Sequence, residues 1–390
     1  MARWRSARPF PAAVLLLLLA SAPLLAAEPR AFEEAVREGG QLKYVDGVPV
    51  LFLAGEPKQM GRQQAALVMD VARPLADVPR RMARYVGGER GWPAVLTMCR
   101  LHQLKMLPRY QAELKAAIDT ARLTPDEQDA LVVVNSIFEF YHVGGCSSLV
   151  VEPERSATGG VIFGRNLDFP SFGHLDRLGL LTVYRPTDRY AFASVGFPVL
   201  GGVISGINEE GLALAVHIVG PSADGAPGVN LMGAPLFTTC RRMLEECSTI
   251  AEAKKLIAGY RYVAPLLIVA CDKRRAVVFE ITTRQIVTRE AESHLLGCTN
   301  HYRSGPLKVP MYCRRYRTLE KYWKYRRPLA VDDVAGALRA VGVPRTLQTM
   351  IFEPGAMKLH VGIGQGPVLN NRRVTLDLAE LFAHRVGAEP

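Results

Sequence analysis

The chain has 390 residues, 49% of them hydrophobic and 22% charged, enough apolar material for a sizeable core and too much for an intrinsically disordered chain. Its 48 basic against 37 acidic residues give a formal charge of +11. No basic run interleaved with aromatics suggests a nucleic-acid groove, so the charge points instead to acidic substrates or to peripheral contact with an anionic membrane surface.

Residues 1–27 place Arg3, Arg5 and Arg8 before an apolar stretch from Ala12 to Leu25, with small residues Ala20, Ala22, Ala26 and Ala27 toward its end. This is the layout of a secretory signal peptide, an uncleaved anchor being the alternative. The expectation is export, periplasmic or secreted, with a mature chain starting near Glu28. Removing the leader and its three arginines leaves 45 basic against 37 acidic residues, a charge of +8.

Residues 28–145 read as a helical N-terminal segment. Met60, Gln64, Leu67, Val68, Val71 and Leu75 follow a three-and-four spacing, Val95 to Leu107 forms a second periodic stretch, and Leu114, Ile118 and Ala121 a third. Thr124-Pro125-Asp126-Glu127 is a capping box with proline at the first helical position, and its helix should reach about Tyr141. Gly144 and Gly145 then free the backbone to bend.

Beyond residue 146 the texture changes to short strands, at 147–151, 160–164, 180–185, 190–195, 202–206 and 212–219. Helices follow at 235–246 and about 250–258, strands at 266–271, 276–282, 286–289 and 295–299, helices at about 314–324 and 332–340, and strands near 346–352 and 358–363. Hairpins interleaved with helix pairs predict an α+β layering of antiparallel sheets covered by helices.

Of the seven cysteines, Cys99, Cys240, Cys247, Cys271, Cys298 and Cys313 could form up to three disulfides or remain buried thiols. Cys298-x-x-His301 lacks a second pair at zinc-ligand spacing, and no metal or organic cofactor is implied. Cys146 stands apart. It follows two glycines, precedes Ser147 and Ser148, and opens a strand whose hairpin return would bring Arg165 and Asp168 back beside it. Arg165 would stabilise a thiolate and Asp168 would hold an amine. A cut between Gly145 and Cys146 would free an α-amine, reference pKa about 7.7 to 8.0, to act as base toward its own thiol.

Cys146-Ser147-Ser148 followed by Gly164-Arg165-Asn166-Leu167-Asp168-Phe169 resembles the cysteine N-terminal nucleophile hydrolases. The resemblance is strongest to the acyl-coenzyme A:6-aminopenicillanic acid acyltransferase-like group (peptidase family C45). It is more distant to choloylglycine hydrolases, penicillin V acylases, acid ceramidase and N-acylethanolamine acid amidase. Gly55-Glu56-Pro57-Lys58-Gln59-Met60-Gly61, Gly206-Ile207-Asn208-Glu209-Glu210-Gly211-Leu212 and Thr299-Asn300-His301-Tyr302 extend it.

The resemblance implies a four-layer αββα sandwich and self-cleavage into fragments 28–145 and 146–390 that stay together. It also implies an amidase or acyltransferase working through a thioester acyl-enzyme on a linear amide of an N-acylated small molecule, lipid substrates included. Cys146 would be nucleophile, Arg165 and Asp168 its activating pair, and Asn300 an oxyanion donor. Arg315, in Arg314-Arg315-Tyr316-Arg317, is a further candidate that a charged helix start explains equally well. Asn208, Glu209 and Glu210 fit a polar hairpin tip without a catalytic role, and the loops 170–177 and 221–235 are expected to line the pocket. The alternatives are a phospholipase B-like lipid esterase and a non-catalytic lipid- or acyl-binding protein on the same fold.

Overall fold

The first described elements are strands, where the sequence led to a mostly helical expectation for 28–145. β1 (Ala35–Arg37), β2 (Gly40–Val45) and β3 (Val48–Gly55) run antiparallel. Their turns are Glu38-Gly39 and Asp46-Gly47, all four residues having positive φ, as tight hairpin turns with the twist of the strands require. Val48 to Leu53 is a continuous apolar run, fully buried, in which the period cannot separate strand from helix; the Asp-Gly dipeptide was the available signal.

The computed structural model describes residues 30–86, 91–140, 144–364, 368–370 and 373–386. The expected leader at 1–27 lies outside them, as do Tyr141 and His142. Phe32–Pro390 forms one compact unit.

Among the described residues five α-helices follow β3: α1 (Pro57–Ala72), α2 (Asp77–Val86), α3 (Trp92–Gln103), α4 (Pro108–Ala121) and α5 (Pro125–Phe140). Proline occupies the first turn of α1, α3 and α4, where its missing N–H costs nothing. The capping box before α5 forms as expected, Glu127 N donating to Thr124 Oγ1 at 3.3 Å and Thr124 N to Glu127 Oε2 at 2.8 Å.

The chain continues through β4 (Gly145–Val151), β5 (Ile162–Asp168), β6 (Leu180–Pro186), β7 (Phe192–Gly196), β8 (Ser205–Asn208) and β9 (Ala213–Ile218), then α6 (Leu236–Glu246) and α7 (Ile250–Ala258). Next come β10 (Leu266–Cys271), β11 (Ala276–Ile281), β12 (Ile286–Glu290), β13 (Leu295–Cys298), α8 (Arg314–Leu319) and α9 (Val331–Val341). The last elements are β14 (Thr346–Glu353), β15 (Lys358–Ile363), β16 (Val374–Asp377) and α10 (Leu378–Ala383).

Among the described residues the strands form a ten-stranded sheet, ordered β1-β2-β3-β6-β7-β8-β9-β10-β11-β12, and a six-stranded sheet, ordered β13-β4-β5-β14-β15-β16. Both are antiparallel except where β3 joins β6 in parallel. The main core lies between the sheets, Phe52, Val183, Val195 and Val269 of one meeting Val150, Phe163, Met350 and Phe352 of the other. A second core packs Leu149, Val151, Ile162 and Ile351 on the outer face of the six-stranded sheet against Leu319 of α8 and Val334 and Leu338 of α9. With α6 on β8 and β9 at the opposite face, the expected α+β sandwich of two sheets flanked by helices is present. Among the described residues no helix is long and apolar enough to cross a membrane.

Buried polar contacts tie α4 and α5 to α6. Glu139 of α5 accepts from Leu236 N at 2.7 Å and Phe237 N at 2.9 Å, satisfying two of the donors that open α6. Arg241 of α6 is buried and donates to Glu113 of α4 at 2.8 and 2.7 Å and to Glu245 at 2.9 Å. Breaking such a buried pair from one side typically costs about 3–5 kcal/mol. Asn208, in the expected polar hairpin, is likewise buried and donates to Leu244 O and Cys247 O, so it locks that hairpin to α6, while Glu209 and Glu210 are exposed at its tip.

Candidate active site

The β4–β5 hairpin sets the site. Its register pairs Gly145 with Asp168, Cys146 with Leu167 and Ser148 with Arg165, so that residues 165 and 168 return beside 146. Gly144 leads in at φ 105°, and a Cβ there would meet Asp168 O at 2.4 Å, so only glycine fits both the angle and the space. The bond between Gly145 and Cys146 lies at the very start of β4.

Cys146 is buried. Its thiol lies 3.7 Å from Val216 O on β9, and Arg165 Nη2 donates to the sulfur at 3.6 Å and to Val216 O at 3.0 Å. Burial pushes the thiol above its usual pKa; Arg165 opposes this, Asp168 adds to it, and Arg315 and the Ile218 N–H oppose it. Burial also lowers the Arg165 guanidinium, against the pull of Cys146 and Asp168. Arg165 Nε and Nη1 find no acceptor in the described protein, which leaves donor capacity beside the sulfur.

Asn300 sits just beyond β13. Its Oδ1 accepts from Cys146 N at 3.0 Å and from Arg315 Nη2 at 2.7 Å, and its Nδ2 donates to Ile218 O at 2.8 Å. The carboxamide thus orients the Cys146 nitrogen, and one N–H remains for an oxyanion. Arg315, at the start of α8, is central where the sequence gave it little weight. Its Nη1 reaches Cys146 O at 2.6 Å, Ser147 Oγ at 3.0 Å and Asp168 Oδ2 at 3.4 Å. Asp168 also accepts from Thr346 Oγ1 of β14 at 2.6 Å. Burial raises the Asp168 carboxyl against Thr346, Arg315 and Arg165. All five residues singled out from the sequence therefore converge.

The histidines stand differently. His217 is buried, held well below its usual range by burial and by Arg165, with its ring nitrogens engaged by Ser148 Oγ and Thr299 O. His301 contacts Thr299 Oγ1 at 2.9 Å, which in turn lies 3.5 Å from Cys313 Sγ. All seven cysteines are free and six are buried, Cys313 alone being partly exposed. Among the described residues one trio, Glu152, Glu154 and His294, brings potential metal ligands within 4.8 Å of one another, and it belongs to the opposite end of β4.

An apolar cavity of about 80 Å³ opens onto Cys146. Leu75, Val78 and Val134 line it from the N-terminal segment, Phe197, Pro198 and Leu200 from the β7–β8 loop, and Val216 and Ile218 from β9. Of the two loops expected to line the pocket, 170–177 contributes Leu175 and 221–235 contributes nothing; the β7–β8 loop takes that place. Its three apolar residues give no functional signal until the fold brings them to the cavity.

Residues 155–322 match the model of the acyl-coenzyme A:6-aminopenicillanic acid acyl-transferase family. The matched stretch holds Arg165, Asp168, Asn300 and Arg315 and begins after Cys146, in agreement with the resemblance seen in the sequence. No curated protein matches the chain significantly. Among solved structures, the Caenorhabditis elegans ortholog of N-acylethanolamine-hydrolyzing acid amidase is similar at 19% identity over 54% of this chain and 93% of its own, TM-score 0.43. A mutant conjugated bile acid hydrolase from Clostridium perfringens is 14% identical over 60% and 93%, TM-score 0.45. Penicillin V acylase from Agrobacterium tumefaciens is 14% identical over 61% and 87%, TM-score 0.45.

Proposed function

We propose that the protein is an exported, self-processing cysteine amidase that hydrolyses a linear amide of an N-acylated small molecule. One observation carries the reading: the buried Cys146 thiol lies at an apolar cavity in contact with Arg165, and the backbone nitrogen of Cys146 donates to the Asn300 carboxamide. The family match around Arg165, Asp168, Asn300 and Arg315 supports it.

In the uncut chain that nitrogen is an amide and cannot take a proton. Cleavage of the Gly145–Cys146 bond turns it into an amine, still beside Asn300, that removes the thiol proton. The thiolate attacks the acyl carbonyl carbon, the C–N bond breaks, and the leaving amine carries off a proton. Water then attacks the thioester, releasing the acid and restoring the thiol. An Asn300 N–H holds the oxyanion, a donor type worth about 2.7–4 kcal/mol in such steps. Arg165 stabilises the thiolate, Arg315 fixes the Cys146 carbonyl and Asp168, and the cavity takes the acyl group. Water outcompetes dilute acceptor amines outside the cell, so hydrolysis is favoured over transfer.

The test is turnover of N-acyl amides and of matching esters, with intact-mass detection of an acyl adduct on Cys146. Amide hydrolysis with an adduct is expected, and Cys146→Ala should lower it by roughly a thousandfold or more. Ester turnover without amide turnover would replace the proposal with a lipid esterase. Acyl-compound binding with no turnover would replace it with a binding protein.

A further inference from the structure

Asn135 follows four apolar residues, Leu131-Val132-Val133-Val134, within α5, and it is buried. Asparagine is unfavourable inside a helix, so its place there asks for a tertiary reason. The reason lies 64 residues away. Asn135 Nδ2 donates to Val199 O at 3.0 Å and to Leu131 O at 3.0 Å, and its Oδ1 accepts from Gly201 N at 2.7 Å. One side chain thus grips both sides of Leu200, whose own side chain lines the cavity at Cys146.

The gripped segment is strained. Val199 has φ 64°, a conformation that a β-branched residue avoids. Further hydrogen bonds hold the ends of the loop: Gln348 Nε2 donates to Gly196 O at 2.7 Å, Arg241 Nη1 to Gly201 O at 3.0 Å, and Val203 N to Phe237 O at 3.0 Å. Gly202 cannot carry a side chain, because a Cβ would lie 2.6 Å from that of Phe237. A loop bound at both ends and forced into a strained turn between them is a wall of fixed position. It presents Phe197, Pro198 and Leu200 to a cavity of about 80 Å³, against roughly 150 Å³ for an engineered apolar cavity that takes up benzene.

We infer that Asn135 is a specificity-determining positioning residue, which holds the β7–β8 loop against the cavity and so limits the acyl group to short chains. The inference rests on the reading of this cavity as the acyl site. It also assigns the N-terminal segment a part in selectivity, since Asn135 precedes the proposed cut and the loop follows it. The segment would therefore be needed after processing as well as before.

The experiment compares wild type and Asn135→Ala on a series of N-acyl aminocoumarins from butanoyl to hexadecanoyl, with KM and kcat separated for each. Calorimetric binding of the corresponding free carboxylic acids runs in parallel. Wild type should favour the short members. The variant should shift the ratio of kcat/KM for long over short acyl groups by about tenfold or more, mostly through KM, with a parallel shift in acid binding. A folded variant with an unchanged length preference overturns the inference and leaves the amidase reading intact. A shift in acid binding with no amide turnover by either protein supports the inference and removes the amidase reading. Should Asn135→Ala fail to fold, Leu200→Ala trims the same wall without touching the grip, and an unchanged preference there overturns the inference equally.

Discussion

Cys146 and Cys313 are two thiols of one neighbourhood set to opposite states. Cys146 is buried, faces Arg165 and is nevertheless raised, because burial outweighs the guanidinium. Burial also pushes Cys313 up, but hydrogen bonds from His301, Thr299 and the Tyr316 N–H outweigh it and bring the thiol down to about 6. The two are joined through Arg315, which lies two residues after Cys313 and bonds the Cys146 carbonyl. The contrast teaches that a nearby cation does not by itself make a reactive cysteine. In the uncut chain the proposed nucleophile is kept protonated, and the missing ingredient is a base.

The comparison can be strained at its link and then at its weaker member. Arg315→Ala removes contacts to Cys146 O, Ser147, Asp168 and Asn300 together, and should lower kcat/KM by about 10²–10³. Arg315→Lys should recover only part, because a point charge cannot bridge two acceptors as a planar fork does. Steady-state kinetics on the best amide of the screen decides it, and an unaffected kcat/KM would reduce Arg315 to a structural ion pair. The smallest effect concerns Cys313. In the uncut chain of Cys146→Ala, iodoacetamide at pH 7 should label Cys313 ahead of the buried cysteines, with a rate that rises through about pH 6 as the thiolate forms and then levels. Cys313→Ser should abolish that reaction and change turnover by no more than about twofold, since serine can replace the sulfur as acceptor at the start of α8. Peptide mapping that finds one of the buried cysteines labelled ahead of Cys313 would contradict the lowered thiol.

Much of this site was legible because its parts are local or carried by recognisable stretches. A cysteine after two glycines and a hairpin return at Arg165 and Asp168 demand one register, and β4 and β5 adopt it. The strand and helix order after residue 146 was readable for the same reason, apart from β16 and α10 near the C-terminus. Arg315 was harder, because its contact with Cys146 spans 169 residues and its local sequence reads as an ordinary charged helix start. Asn135 was invisible: its role depends on a loop 64 residues away and on a backbone angle at Val199 that no residue type announces. Strand β3 was missed because its continuous apolar run has no period to betray it, and β1 and β2 are short.

Whether one cut converts a protected thiol into a nucleophile with its own base is read from intact-mass and N-terminal analysis of the active protein. Two associated polypeptides are expected, the second beginning at Cys146, with a single uncut chain for Cys146→Ala. A wild-type chain that stays continuous between Gly145 and Cys146 while turning over amides would contradict that conversion.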